Sequence, residues 1–580
     1  MYMSIADELT AIVEGEVDDS PETLEAYSRD ASLFVLKPSV VVRPKHTKDI
    51  QTLVRFVTEE KKKGREVSLT PRAAGTDMGG GPLTESIVVD MLPHFNRIVE
   101  IHEEPPELGG EASEFGSGGW AVVEPGVFFR DFDKQTREHD LELPSYTASR
   151  DINTVGGMAA NNSGGEKNLK YGKTARYVEE LEMVLADGEV HILKPCQGDA
   201  LTRKMAEGSF EGEIYRAVAG LIADNRDTIE THKPHVEKNS SGYALWDMGD
   251  GRESLNLARL MVGAQGTMGI ITKIKFALVR PKKFASMAVV FVNDTNDLGA
   301  LIPKILSHHP DSFESYDDNT FILAAKYFPE FALQMKTNLI GLGFAFLPEV
   351  WRILTSGVPK LVLLVEFRSN EQKEALKKAQ ALIADIQKKR LPLGTFLAKN
   401  ERAARKYWTV RHESFNLLRK KVRGKRTAPF IEDFVVPPAS LPDFLPQLNA
   451  ILKEYDLVYT IAGHVGDGNF HIIPLMDPKR PDARALIEEL SEKVYALVLS
   501  FNGSISGEHN DGFVRTPYIE RMFGPEMIAL FKQVEAVLDP LDIFNPGKKV
   551  LRGDTDPYAH LDLPAGAQSG ELGDELASAA

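Results

Sequence analysis

Pro71-Arg-Ala-Ala-Gly-Thr-Asp-Met-Gly-Gly-Gly81 follows directly on the strand-like stretch Glu66-Val-Ser-Leu-Thr70. Glycines at such a turn let successive backbone N–H groups converge on a pyrophosphate, and Thr76 adds a hydroxyl donor. A glycine-rich turn alone is a weak signal, but two further segments strengthen it. Asn153-Thr-Val-Gly-Gly-Met-Ala-Ala-Asn-Asn-Ser-Gly-Gly165 is too rich in Gly, Asn and small residues for a packed helix. It suits backbone running close against a flat ligand. Gly263-Ala-Gln-Gly-Thr-Met-Gly-Ile-Ile-Thr272 has the same texture and ends in a strand.

Outward from these loops the pattern is mixed. Ser39–Arg43, Ile87–Asp90 and Ala121–Glu124 read as short strands, and Thr47–Lys61 has helical spacing. Residues 1–35 read as a helical lead-in, with Ser20 as an N-cap before Pro21. Gly109–Gly119 looks like a hairpin insertion. Beyond Lys283, strands such as Ala288–Phe291 and Leu361–Glu366 alternate with helices such as Asn370–Lys388. That order predicts an antiparallel sheet backed by helices. A last helix spans Glu526–Leu538, and the small, acidic, aperiodic residues 553–580 read as a disordered tail.

A chain of 580 residues exceeds what one core usually holds, so more than one domain is expected. The formal charge of −16 argues against nucleic acid as a partner. Lys61–Lys63 reads as a solvated helix face, whereas Arg419–Arg426, close behind Arg411, would raise the local potential for an anionic substrate. A single cysteine, Cys196, excludes a disulfide framework, a thiolate zinc site or an iron–sulfur cluster built from these residues. No apolar run reaches the ~20 residues that span a bilayer. Met1–Glu16 lacks the basic-then-apolar order of a signal peptide. The expectation is a cytoplasmic protein, with peripheral contact at the inner membrane face left open.

The second constellation is Gly463-His-Val-Gly-Asp-Gly-Asn-Phe-His471, preceded by the strand-like Leu457–Ala462 and followed further on by Ser506-Gly-Glu-His-Asn-Asp-Gly512. Two imidazoles and a carboxylate make a three-ligand site with open positions, as a catalytic divalent ion needs. Taken singly, each histidine would more often be a structural hydrogen bonder. Their shared setting among glycines favours the metal reading.

The glycine loops together resemble the FAD domain of the vanillyl-alcohol-oxidase, or p-cresol-methylhydroxylase, type, over about Pro38–Arg280. The resemblance implies that Arg72, Ala73, Ala74, Gly75, Thr76, Asp77 and Gly79 hold the pyrophosphate of FAD. It places Thr154, Gly156, Gly157, Ala160, Asn161 and Gly164 along the flavin and its ribityl chain, with Thr147 and Ser149 just before them. Gly266, Gly269 and Ile271 fall towards the adenine. No histidine occurs between Pro71 and Leu83, so FAD is expected without a covalent tether there.

From about Trp408 to Leu551 the chain resembles the C-terminal domain of FAD-linked D-2-hydroxy-acid dehydrogenases, the D-lactate, D-2-hydroxyglutarate and glycolate oxidase subunit type. That resemblance implies His464, His471 and Glu508 as ligands of zinc or manganese and His509 as general base. Arg411, in Tyr407-Trp-Thr-Val-Arg-His412, matches the arginine that pairs with the substrate carboxylate, a role its planar fork suits. Asn545-Pro-Gly-Lys548 matches a C-terminal return to the flavin, and Asp433 and Asn469 fit roles orienting the ligands. The implied fold class is α+β: an FAD-binding domain over 36–282 after the lead-in, a substrate- and metal-binding cap over 283–525, a returning segment over 526–552 and the tail. The implied chemistry is abstraction of the 2-hydroxyl proton by His509 with hydride transfer from C2 to flavin N5.

Two positions depart from the 2-hydroxyglutarate pattern. A lysine two before Asp433 and an asparagine two after the second metal histidine are replaced by Ile431 and Ile473. Apolar side chains do not pair a distal carboxylate, so D-lactate or a longer apolar hydroxy acid is favoured. D-2-hydroxyglutarate or glycolate stays as the alternative. A partner-dependent electron-transfer subunit and a non-redox enzyme of the alkylglycerone-phosphate synthase type are weaker readings. Reoxidation of the flavin requires an acceptor beyond these residues: a quinone, an electron-transfer flavoprotein, a cytochrome or a separate iron–sulfur subunit. A homodimer is compatible with the sequence.

Overall fold

The computed structural model describes residues 4–104, 118–320, 322, 357–388, 394–421, 426–455, 457–477, 480–553, 556 and 558–563. The expected hairpin at Gly109–Gly119 and the expected tail fall largely outside them.

The first sheet has four strands, in the order Glu16–Asp18, Val40–Arg43, Ile87–Asp90, Leu69–Arg72. The last three run parallel. Val40, Val41 and Val42 are fully buried, as are Ile87, Val88 and Val89, which is why these strands are continuous apolar runs rather than alternating ones. The lead-in is not helical throughout. Its helices Ile5–Thr10 and Pro21–Tyr27 flank the edge strand Glu16–Asp18, which pairs antiparallel with Val40–Arg43. Ser20 caps the second helix through Thr23 N, with Pro21 in its first turn.

A second, antiparallel sheet orders Ile98–Glu103, Gly119–Val123, Ile270–Leu278, Val178–Val184 and Val190–Leu193. Its central strand, Ile270–Leu278, alternates buried and half-buried residues along its length, the period-two pattern of a sheet with one face on a core.

Among the described residues the third sheet has eight strands, all antiparallel, in the main order Gly394–Ala398, Phe284–Val292, Leu361–Ser369, Ser312–Asp317, Val458–His464, Asn469–Met476, Arg426–Thr427. Phe434–Val435 also pairs with Asn469–Met476. Ala288, Val290 and Val292 face a core built with helices Leu298–Leu306, Gln372–Lys388, Leu441–Lys453 and Ala483–Ser500. Met287, Val289 and Phe291 face Ala404, Tyr407 and Val410 of helix Glu401–Lys421 on the other side. Both faces are covered, so the helix that carries Arg411 lies on the face opposite the main helical layer.

The hairpin Val458–Met476 turns at Val465–Gly468. Gly468 has φ +71°, and a Cβ there would stand 1.8 Å from the Val436 carbonyl oxygen. Gly468→Ala is expected to cost at least about 1–3 kcal/mol, the range for a strained backbone, and to displace His464 and His471. Thermal unfolding checks this, and an unchanged midpoint would show that the turn tolerates a side chain.

The final long helix starts earlier than its sequence pattern suggests, at Ile519, and bends at Gly524 before running to Leu538. Beyond it, Ile543 and Phe544 join the core of the first sheet. Asn545, with φ +38°, donates from its side chain to the carbonyls of Gly81 and Gln265. Among the described residues no helix is long and apolar enough to cross a membrane.

Candidate active site

A cavity of about 1290 Å³ runs between the glycine loops and the histidine hairpin. One end is walled by Arg72, Ala73, Ala74, Gly75, Thr76 and Asp77, and by Gly266, Gly269 and Ile271. Thr147, Ser149, Thr154, Gly156, Gly157, Ala160 and Asn161 line its length. Arg411, His464, His471, Glu508 and His509 close the other end. Gly79, Gly164 and Asn545 stand behind the wall. Gly79 accepts from Phe513 N at 2.7 Å, and Asn545 staples the first and third glycine segments together.

The second glycine segment corrects the sequence reading. Val155–Asn161 is a short helix, not an irregular loop. Thr154 Oγ1 caps it by accepting from Gly157 N, and Asn162 ends it in the left-handed conformation. Gly156 is required by close packing, since a Cβ there would meet Pro125 at 2.4 Å. Capping and tight packing override the low helix propensity of the paired glycines.

Two details of the first loop also emerge. The buried Arg72 guanidinium donates to the carbonyls of Tyr27 and Arg29 and lies over the Tyr27 ring, so its charge braces the lead-in. Asp77 closes the loop by accepting from Gly79 N, Gly81 N and Asn161 Nδ2. Asp30 and Asn153 line the cavity, and Asp30 Oδ2 and Asn153 Oδ1 are buried with no hydrogen-bond partner among the described residues. FAD offers amine, hydroxyl and ring N–H donors to such acceptors, and a Cβ at Gly157 would meet nothing nearer than 3.4 Å. The cavity fits the cofactor.

At the far end three imidazoles converge on one carboxylate oxygen. Glu508 Oε1 lies 3.3 Å from His464 Nε2, 3.2 Å from His471 Nε2 and 3.6 Å from His509 Nε2. Each ring is turned inward by a carboxylate on its other nitrogen. Glu314 holds His464 Nδ1 at 2.6 Å, while Glu432 Oε2 takes His509 Nδ1 at 2.7 Å and His471 Nδ1 at 3.4 Å. Such carboxylate–histidine pairs set ring orientation and strengthen the imidazole as a donor to a metal. The set fits a divalent ion.

Asp433 is close enough to join this group geometrically. Its oxygens are already engaged, accepting from Ser506 Oγ, Asn469 Nδ2 and the backbone N–H groups of Glu508 and His509. It shapes the loop that carries Glu508, and Asn469 donates to it. Burial pushes the Glu508 carboxyl upward, but Lys238 and His464 hold it well below the usual range. Burial lowers the His509 imidazole, and Glu432 and Asp433 outweigh it, raising the group to about 10.

Arg411 sits on helix Glu401–Lys421 with its guanidinium 3.3 Å from Glu314 Oε2 and its Nε buried without a hydrogen-bond partner among the described residues. Ile473 lines the cavity, whereas Ile431 is buried in the core behind it. Only one of the two departures from the 2-hydroxyglutarate pattern therefore faces the site. Glu432, Glu314 and Lys238 were missed from the sequence. The signal for Glu432 was available: an acid pair inside the apolar run Phe430-Ile-Glu-Asp-Phe-Val-Val436. Lys238, in a loop of small polar residues, left none.

Residues 38–194 match the FAD binding domain family, and residues 281–549 match the family of FAD linked oxidases, C-terminal domain. The chain thus carries both the FAD-binding and the C-terminal domain of FAD-linked oxidases. It is 30% identical over 542 residues to a D-2-hydroxyglutarate dehydrogenase from Pseudomonas putida, covering 92% of this chain and 50% of that protein. It is 27% identical to a D-lactate dehydrogenase from Archaeoglobus fulgidus, covering 95% of this chain and all of the other. The chain spans about half the length of the curated dehydrogenases from Pseudomonas putida and Escherichia coli. Its fold is that of 4-ethylphenol oxidase from Gulosibacter chungangensis, with a TM-score of 0.64 at 16% identity over 93% of this chain and 94% of that one.

Proposed function

We propose that this chain oxidises a D-2-hydroxy acid to the 2-oxo acid, with non-covalent FAD and a zinc or manganese ion held by His464, His471 and Glu508. The observation that carries the reading is the convergence of three imidazoles on Glu508 Oε1 in the wall of the same cavity that the glycine loops line. When bound, FAD supplies a two-electron acceptor at N5 for the C2 hydride, and the ion supplies a Lewis acid for the substrate oxygens.

The chain's own residues do the rest. Arg411 receives the substrate carboxylate, its Nε having no hydrogen-bond partner among the described residues and its charge oriented by Glu314. His509 removes the 2-hydroxyl proton, its ring oriented by Glu432 at Nδ1. Burial around His464 and Glu508 keeps water from the polar cluster. Ile473 offers an apolar wall where a distal carboxylate would need a cation, which favours a D-lactate-like acid over D-2-hydroxyglutarate. The relatives' names include both substrates, so the selection rests on that wall. Electrons then leave to a quinone, an electron-transfer flavoprotein, a cytochrome or a separate iron–sulfur subunit.

Anaerobic addition of D-lactate to the metal-loaded flavoprotein is expected to bleach its visible band rapidly, and L-lactate to do so at least roughly tenfold more slowly. Chelation should suppress bleaching, with zinc or manganese restoring it. Faster reduction by D-2-hydroxyglutarate than by D-lactate would overturn the substrate preference. A flavin that D-lactate, D-2-hydroxyglutarate and glycolate all leave oxidised, with metal supplied, would overturn the reaction class.

A further inference from the structure

Lys238 lies between the two matched segments, which end at residue 194 and begin at residue 281, and it is among the largest fully buried side chains. Its Nζ stands 2.8 Å from Glu508 Oε2, with the two side chains 0% and 7% exposed. The contact is an ion pair outside hydrogen-bond angles, and neither atom has a hydrogen-bond partner among the described residues. Oε1 of the same carboxylate is the atom on which the imidazoles converge. Glu508 is thus divided, one oxygen turned to a buried cation and the other to the histidines.

The lysine is held where it is. Its chain neighbour Ser240 donates from N to Ser506 O at 2.9 Å. Lys173 Nζ donates to Asn239 O at 2.5 Å and to Gly507 O at 2.8 Å. Lys549 Nζ donates to the carbonyls of Ser240 and Gly242 and pairs with Asp511. Residues 238–242 are thereby clamped against the 506–511 loop. On their other side, Ser240 Oγ lies 3.2 Å from the Asn161 and Asn162 carbonyls, at the end of the glycine-rich helix. Lys238 has little freedom to swing away when an ion enters.

We propose that Lys238 is a positioning residue of the metal site, holding Glu508 to ligation through one oxygen and offsetting part of its charge. The proposal rests on the ligand assignment above. A carboxylate free to use both oxygens, with its full charge, grips a divalent ion more tightly and quenches it as a Lewis acid. Lys238 sets the opposite balance: a more weakly held ion with a coordination position left for substrate.

The test uses the full chain with FAD bound, stripped of metal and titrated with zinc or manganese against a chromophoric chelator. Lys238→Met and Lys238→Gln are expected to bind either ion about tenfold or more tightly than wild type, since a buried like charge beside the ligand is gone. Their kcat should fall with KM changed less. Affinity unchanged or weakened in both variants overturns the proposal. A metal-independent measurement accompanies it. Glu508→Gln strands Lys238 and should lower the thermal midpoint, and adding Lys238→Met to that variant should recover part of the loss. No recovery overturns the pairing. A wild-type chain that binds neither ion overturns the ligand assignment and this proposal together, whereas one that binds an ion no differently from the Lys238 variants overturns this proposal alone.

Discussion

Glu508→Ala is expected to abolish divalent-metal loading and substrate-dependent flavin reduction while leaving the oxidised flavin spectrum in place. Oε1 of Glu508 is the common neighbour of His464, His471 and His509, so its removal takes away the only carboxylate oxygen among the described residues that all three imidazoles face. Loss of an outer partner of a ligand typically costs roughly 10–100-fold in metal affinity, and loss of the ligand itself should exceed that range. The glycine loops at 71–81 and 154–161, proposed above to hold the flavin, are separate segments of the cavity wall, and FAD should load as before. A second consequence follows from Lys238, left buried without its counter-charge. Breaking such a pair costs about 3–5 kcal/mol, so the variant should also unfold at lower temperature. Metal analysis of the purified variant decides the matter. Stoichiometric zinc or manganese in it would show that other groups hold the ion.

His509→Gln should lower kcat by about 10²–10⁴-fold, the usual contribution of a positioned general base, with metal content and flavin spectrum unchanged. The three imidazoles differ in access. Side-chain exposure rises from 5% at His464 to 13% at His471 and 26% at His509, so His509 is the ring most open to a substrate hydroxyl. It is also the ring whose Nδ1 is most closely held by Glu432, itself anchored by the fully buried Arg515. Glutamine retains a polar group of similar reach but takes no proton. Rapid-reaction measurement of flavin reduction separates the outcomes. A reduction rate within tenfold of wild type would remove His509 as base, and metal loss in this variant would make it a ligand instead.

The features legible in the sequence are those with a local signature. The strand that ends the Gly263–Thr272 segment and the apolar stretch Ala288–Phe291 are legible over a few residues, and they extend in the structure to Ile270–Leu278 and Phe284–Val292. The two histidines of the 464–471 hairpin share a strand pair whose turn glycine is visible in the chain. The glycine segments marked the cofactor wall, although Val155–Asn161 proved helical because a threonine cap and a close approach to Pro125 decided its conformation. The approach to Pro125 has no local pattern in the sequence.

What tertiary structure alone decided is which charges meet. Glu314 reaches His464 across 150 residues of chain, and Lys238 meets Glu508 from a segment that carries no motif. Arg72, read from its loop as a pyrophosphate ligand, spends its guanidinium on carbonyls of the lead-in. The physical reason is common to all three. Periodicity and turn chemistry act between neighbours in sequence, whereas a buried charge takes its partner from whatever the fold places beside it, because leaving it unpaired in a low dielectric costs several kcal/mol. Motifs therefore determined the kind of site this chain builds, and the long-range packing of its sheets determined how that site's carboxylates and imidazoles are held and charged.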